Sequence, residues 1–320
     1  VPNGVKFCSG FILLIYQLLD VFDGAQARRL KTASPVGHFF DHGLGSITAI
    51  FLIIQFIVSL NFGNSMESVL FVFTTGIYIL SVAFQEYAID SYSLGYINLR
   101  DEGPFILSII LILSGVSSAF IDQIKYNIIT FAYIAIFLIS IIYILFNIIS
   151  KSLQDEKIKD RTLVGSLAPF ITLLLMSIMI AFDPNGCSQN TPVILFCGFL
   201  FAYQSQIIII ASLAHREPQG LFDPSLYLCW TFFLFGTALP SFLVCELAWI
   251  LGTMMIVAFM IVLNIRTILN LCEDLQISPF SAMPIIEDDK SDILIQNDIE
   301  NDSDSQKSEP TDGEKEFQDI

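Results

Sequence analysis

The sequence predicts an all-α protein, a polytopic transmembrane helix bundle followed by a polar tail. Three observations carry that expectation. Hydrophobic residues fill 54% of the 320 positions and charged residues only 14%, against about 45–50% and about 25% in soluble domains. The apolar residues are gathered into long blocks rather than scattered, and mean hydropathy is +0.69. Each block can cross a hydrocarbon core of about 30 Å, where lipid offers no partner to bare backbone groups and a helix satisfies them internally.

Nine blocks run along the chain. The first, 5–22, continues in helical register into Asp23, Gly24, Ala27 and Arg28. The second, 38–62, follows a short loop containing Thr32, Ser34 and Pro35. Blocks 68–84 and 104–121 are near the lower length limit for a span. Blocks 128–150, 163–182 and 192–213 are unambiguous by length, whereas 221–240 and 242–271 are parted only at Pro240 and Ser241. With nine crossings, alternate loops share a face. One face holds ten basic residues (Arg28, Arg29, Lys31, Arg100, Lys151, Lys157, Lys159, Arg161, Arg216 and Arg266) and the other only Lys6 and Lys125. Basic loops stay on the cytosolic side, so the Arg28 loop and the C-terminus are expected there. The first span then starts on the far side. Together with a chain that begins at Val1, this points to at least one span upstream.

The formal net charge of −16 belongs mostly to the tail: from Glu287 onward there are 13 acidic residues against 3 lysines. The expected organisation is a membrane domain over 1–275 and a disordered acidic cytosolic tail over 281–320, too polar to offset its ordering entropy. An acidic chain of this kind gives no footing for nucleic acid. The six cysteines form no CxxC pair and read as small core residues, not a disulfide framework or a zinc site.

Chemistry is concentrated in Asp20 to Gly45, DVFDGAQARRLKTASPVGHFFDHGLG. On a helix, Asp20, Asp23, Gly24, Ala27 and Arg28 make one continuous face. Gly37 and Asp41 stand four apart at the start of the next span. Three carboxylates from neighbouring helices can then converge at the membrane rim, where ionisable residues default to a functional role. An all-oxygen set suits Mg²⁺ or Mn²⁺. Gly24, Ala27 and Gly37 lack bulk and leave room for a ligand, and Arg28 offers a planar fork for phosphate or an aspartate.

This spacing resembles the CDP-alcohol phosphotransferase signature, D-x2-D-G-x2-A-R-x8-G-x3-D-x3-D. Asp20, Asp23, Gly24, Ala27, Arg28, Gly37 and Asp41 match in register, seven fixed positions over 26 residues. The wording of residues 15–29, 34–37 and 40–43 is similar to the eukaryotic choline/ethanolamine phosphotransferase branch. Weaker similarity runs through 94–103, 167–170 and 197–203. The resemblance implies a ten-helix protein, hence one helix beyond the nine. It implies Asp20, Asp23 and Asp41 as metal ligands and a CDP site built from Asp20, Gly24, Ala27, Arg28 and Gly37. It also implies His42 as catalytic base. The implied reaction transfers phosphoethanolamine or phosphocholine from CDP-ethanolamine or CDP-choline to diacylglycerol with release of CMP. The implied setting is a homodimer in the endoplasmic reticulum or Golgi membrane.

Two departures matter. Gly45 occupies the place of the fourth signature aspartate, and His38 stands where the branch usually has glutamate. One reading is therefore a working enzyme that relies on three aspartates and His42. Another is a catalytically impaired homologue that binds without turnover. A transporter is a third, weaker one, lacking the repeats and broken helices of that class. His38 and Glu102 are auxiliary candidates; Glu102 reads either as a contact for the amino alcohol or a metal, or as a solvated carboxylate.

Overall fold

The computed structural model describes residues 1–30, 32, 34–89, 99–117, 126–155, 190–214 and 242–275, and these contain helices and short connections with no β-strand. Seven helices run in the order α1 (Asn3–Arg29), α2 (Pro35–Ser59), α3 (Met66–Ile89), α4 (Glu102–Val116), α5 (Tyr126–Ser152), α6 (Thr191–Leu213) and α7 (Phe242–Asp274). All but α4 contain a stretch long and apolar enough to cross a bilayer. The polytopic all-α bundle expected from the sequence is thus present over the described residues. The expected spans 163–182 and 221–240, the tail 281–320, and His215 with Arg216 lie outside them.

Helix ends follow local chemistry. α1 outruns its apolar block and closes on Arg28 and Arg29, cations placed where the helix dipole is negative. Ser34 caps α2 by accepting a hydrogen bond from the Gly37 amide at 3.1 Å, and Pro35 fills the first turn, where a missing N–H costs nothing. The turn into α3 runs through Asn61 at φ 59° and Gly63 at φ 63°, the left-handed region that ends helices. α3 begins two residues before its predicted block and runs five beyond it, to Ile89. That extension carries Glu86 into the bundle.

Within lipid, helices gain little from burying apolar surface against each other, so association rests on close packing. α1 lies antiparallel on α4, with Gly10 against the backbone of Ser108 and Ile112, and Gly115 against the backbone of Phe7. A Cβ on Gly115 would come within 2.5 Å of the Phe7 amide nitrogen. α3 and α6 form the buried centre, Gly76 receiving the Phe201 ring and Gly198 receiving Ile50 of α2. α5 packs on α3, where the Thr75 and Tyr133 hydroxyls pair at 2.5 Å. α7 closes the other side of α6, with Trp249 edge-on to Phe196 at 5.0 Å between ring centroids.

One irregularity serves the site. Residues Phe39–Leu44 of α2 form a π-helical turn, a form that recurs at functional positions. Within it the Gly43 carbonyl accepts from the Ser46 hydroxyl at 2.7 Å and from the Gln206 amide at 3.0 Å. Gly43 itself has no room for a side chain, because a Cβ would lie 2.7 Å from the buried Phe39 ring.

Candidate active site

Four segments meet at one end of the bundle: the later turns of α1, the first turns of α2, the last turns of α3, and the residues leading into α4. α1 brings Asp20, α2 brings Asp41 and His42, α3 brings Glu86, and Arg100 enters just before α4. Asp20, Asp41, His42, Gly45 and Arg100 line the mouth of a pocket whose inner wall is apolar, including Leu52, Ile53, Val82 and Phe137. Gln17 is buried in this wall, and its amide nitrogen has no hydrogen-bond partner among the described residues. A polar mouth over an apolar interior, with a buried donor left for a ligand, is the form of a binding site.

The hydrogen bonds define the charge arrangement. Arg100 contacts Asp41 Oδ1 through Nη2 and lies 2.8 Å from His42 Nε2 through Nη1. A guanidinium can only donate, so Nε2 accepts and the ring proton sits on Nδ1. Nδ1 donates to Glu86 Oε2 at 2.8 Å. The other Glu86 oxygen accepts from His38 Nε2. Glu86 is only 8% exposed, and a buried carboxylate persists only when it is paired in this way. His42 is thereby held as a neutral imidazole with a fixed tautomer, its lone pair facing the pocket mouth.

The signature residues divide. Asp20 and Asp41 border the pocket and His42 stands between them and Glu86. The charges of Asp41, Arg100 and Asp23 all act on Asp20, so the three aspartates share one electrostatic neighbourhood. Asp23 is exposed on α1 and does not line the pocket. Among the described residues the aspartates do not form one tight cluster; the three ligating side chains within 4.8 Å of one another are instead His38, His42 and Glu86. Arg28 lies along α1 with its guanidinium beside Gly24. A Cβ at Gly24 or Gly37 would meet only ordinary contacts at 3.5 Å, so packing among the described residues does not demand glycine at either. Ala27 is half-buried on the same helix, and Glu102 is exposed outside the pocket.

Sequence reasoning missed Glu86 and Arg100 as site residues. Glu86 is 44 positions from His42 and Arg100 is 58. A signal existed for Glu86: a carboxylate beside an apolar block is costly unless used. Arg100 registered only as a topology charge.

Residues 3–149 match the family model for CDP-alcohol phosphatidyltransferase. This stretch of the chain is similar to CDP-alcohol phosphatidyltransferase domains. It is 36% identical over 108 residues to an uncharacterized class-I family protein 3 of Dictyostelium discoideum, covering 33% of this chain and 27% of the relative. It is 31% identical over 101 residues to cholinephosphotransferase 1 of Gallus gallus, covering 31% and 30%. Against cholinephosphotransferase 1 of Homo sapiens it is 27% identical over 226 residues, 64% of this chain and 54% of the relative. The chain thus spans between about a quarter and a half of the length of these relatives. Six helices long and apolar enough to cross a bilayer, together with this similarity, make it an integral membrane protein.

Proposed function

We propose that the protein transfers phosphoethanolamine or phosphocholine from the CDP derivative to diacylglycerol, releasing CMP. The observation that carries the reading is the His42–Glu86 pair, set beside the signature aspartates at the mouth of an apolar pocket. Asp20 and Asp41 border the pocket and Asp23 stands exposed three residues further along α1; these hard, charged oxygens are the ones that would hold Mg²⁺ or Mn²⁺, which would polarise phosphoryl oxygens and neutralise the leaving group. The apolar wall suits acyl chains, and the buried Gln17 amide suits an ester carbonyl.

The acceptor hydroxyl loses its proton to His42 Nε2 as its oxygen attacks the β-phosphorus. The bond from that phosphorus to the bridging oxygen breaks, and CMP departs with that oxygen. Glu86 holds the ring tautomer and stabilises the imidazolium that forms. Arg100 caps Nε2 in this structure. A pyrophosphate competes for the Nη1 that caps the neutral imidazole, because charge-assisted bonds to phosphate are stronger, while Nη2 keeps its carboxylate partner Asp41. The same end of the bundle carries the Arg28 and Arg100 charges, which supports a cytosolic mouth; the endoplasmic reticulum or Golgi setting rests on the family resemblance alone.

A second reading rests on Gly45. A Cβ there meets no described atom within 4 Å, so the pocket mouth has space but no fourth carboxylate, as in a homologue that binds without turnover. Membranes containing the protein, supplied with labelled CDP-ethanolamine or CDP-choline, diacylglycerol and Mg²⁺ or Mn²⁺, decide between them. Labelled phospholipid that disappears in His42→Ala supports the enzyme; no product with either nucleotide and either metal overturns it.

A further inference from the structure

A base needs one carboxylate to orient it, yet here a second imidazole shares that carboxylate. His38 stands four residues before His42 on one face of α2, with ring centroids 4.0 Å apart and planes inclined by 32°. His38 Nε2 and His42 Nδ1 converge on the two oxygens of Glu86 from α3. One ligand atom from each residue lies within 4.8 Å of the other two. Two nitrogens and one oxygen are a different donor set from the all-oxygen aspartates.

We propose that His38, His42 and Glu86 form a site for a transition-metal dication of the Zn²⁺ type, separate from the Mg²⁺ or Mn²⁺ expected at the aspartates. Imidazole suits zinc, whereas magnesium demands oxygen. Two histidines and a glutamate with an open fourth position are a known zinc donor set, with metal–ligand distances of about 2.0–2.2 Å. Ligand atoms of a tetrahedral site are then about 3.4 Å apart. The present hydrogen-bonded trio therefore needs only small side-chain adjustments to admit an ion.

Binding has a proton consequence. Each imidazole must offer a lone pair to the ion and keep its single proton on the opposite nitrogen. For His42 the proton leaves Nδ1 and resides on Nε2. An Nε2–H cannot accept from Arg100, and it turns to Asp41 Oδ2, 3.5 Å away in this structure. A carboxylate behind a ligating histidine is the usual support of such sites. With its lone pair protonated, His42 cannot take a proton from an acceptor hydroxyl. Zinc is thus an inhibitor that acts without obstructing the pocket; this part alone rests on the phosphotransferase reading.

The test uses the full chain purified in detergent micelles, with Co²⁺ as a visible reporter and Zn²⁺ as its competitor. The expected result is one Co²⁺ per chain with the intense visible bands of tetrahedral cobalt, displaced by Zn²⁺. His38→Ala and Glu86→Gln each weaken binding at least tenfold, while Asp23→Asn keeps it. Absence of stoichiometric cobalt in the unaltered chain overturns the proposal whether or not the variants fold, and so does undiminished binding in both variants. In assays with saturating Mg²⁺, added Zn²⁺ lowers kcat in the parent and loses potency against His38→Ala. Cobalt binding is read without turnover, so an inactive protein with a normal cobalt spectrum would sink the phosphotransferase reading and still support the metal site.

Discussion

At the scale of single residues, the site joins positions that the chain keeps far apart. Glu86 fixes the His42 tautomer, and general-base catalysis of this kind contributes about 10²–10⁴-fold. Glu86→Gln is expected to lower kcat by about 10²-fold while leaving the KM for the CDP-alcohol within a few-fold, measured by lipid synthesis in membranes; equal loss in both constants would assign Glu86 to substrate binding. Gly45→Asp puts a carboxylate into open space at the pocket mouth. Its expected effect is lower Mg²⁺ or Mn²⁺ demand and faster turnover, because hard cations follow ligand charge and count. An unchanged metal titration would remove position 45 from the metal account. Asp20, Asp41 and His42 were legible in the sequence because their spacing is a local pattern. Glu86 and Arg100 were not, because no local pattern records a contact between separate helices.

At the scale of helices, six of the nine apolar blocks fall on described helices long enough to span, while the expected span 104–121 coincides with the shorter α4 and block ends differ from helix ends. α1 and α3 both continue past the apolar residues into polar ones, and those polar turns hold Asp23 and Glu86. A block count stops where lipid stops, while a helix stops where its backbone loses partners or finds a cap. The π-helical turn at Phe39–Leu44 was likewise illegible, since no local pattern records its contacts with other helices, such as the Gln206 amide on the Gly43 carbonyl. Packing between α1 and α4 gives a test at this scale. Gly115 meets the Phe7 backbone, which cannot yield as a side chain would. Gly115→Leu is expected to cost roughly 1–3 kcal/mol, read as a lower melting temperature in detergent. A matched Gly63→Ala, in open space but at positive φ, should act only through the turn, costing more than the about 1 kcal/mol that a compatible replacement would gain.

At the scale of the whole molecule, charge asymmetry and function point to the same face. The Arg100–Asp41 contact ties the segment before α4 to the first turn of α2, two regions whose basic residues the positive-inside count assigns to one side. Sealed microsomes bearing a C-terminal tag should lose it to added protease without detergent; protection of the tag would reverse the proposed orientation and with it the cytosolic access of the nucleotide. Removing divalent ions with EDTA should abolish transfer and excess Mg²⁺ or Mn²⁺ restore it, measured as labelled phospholipid.

The vacancy beside Gly45 also bears on heredity. Glycine and aspartate codons can differ by one base, so a single transition in the gene can furnish the carboxylate at a position where a Cβ meets no described atom within 4 Å. The fourth carboxylate of the signature is therefore one point mutation away from this sequence.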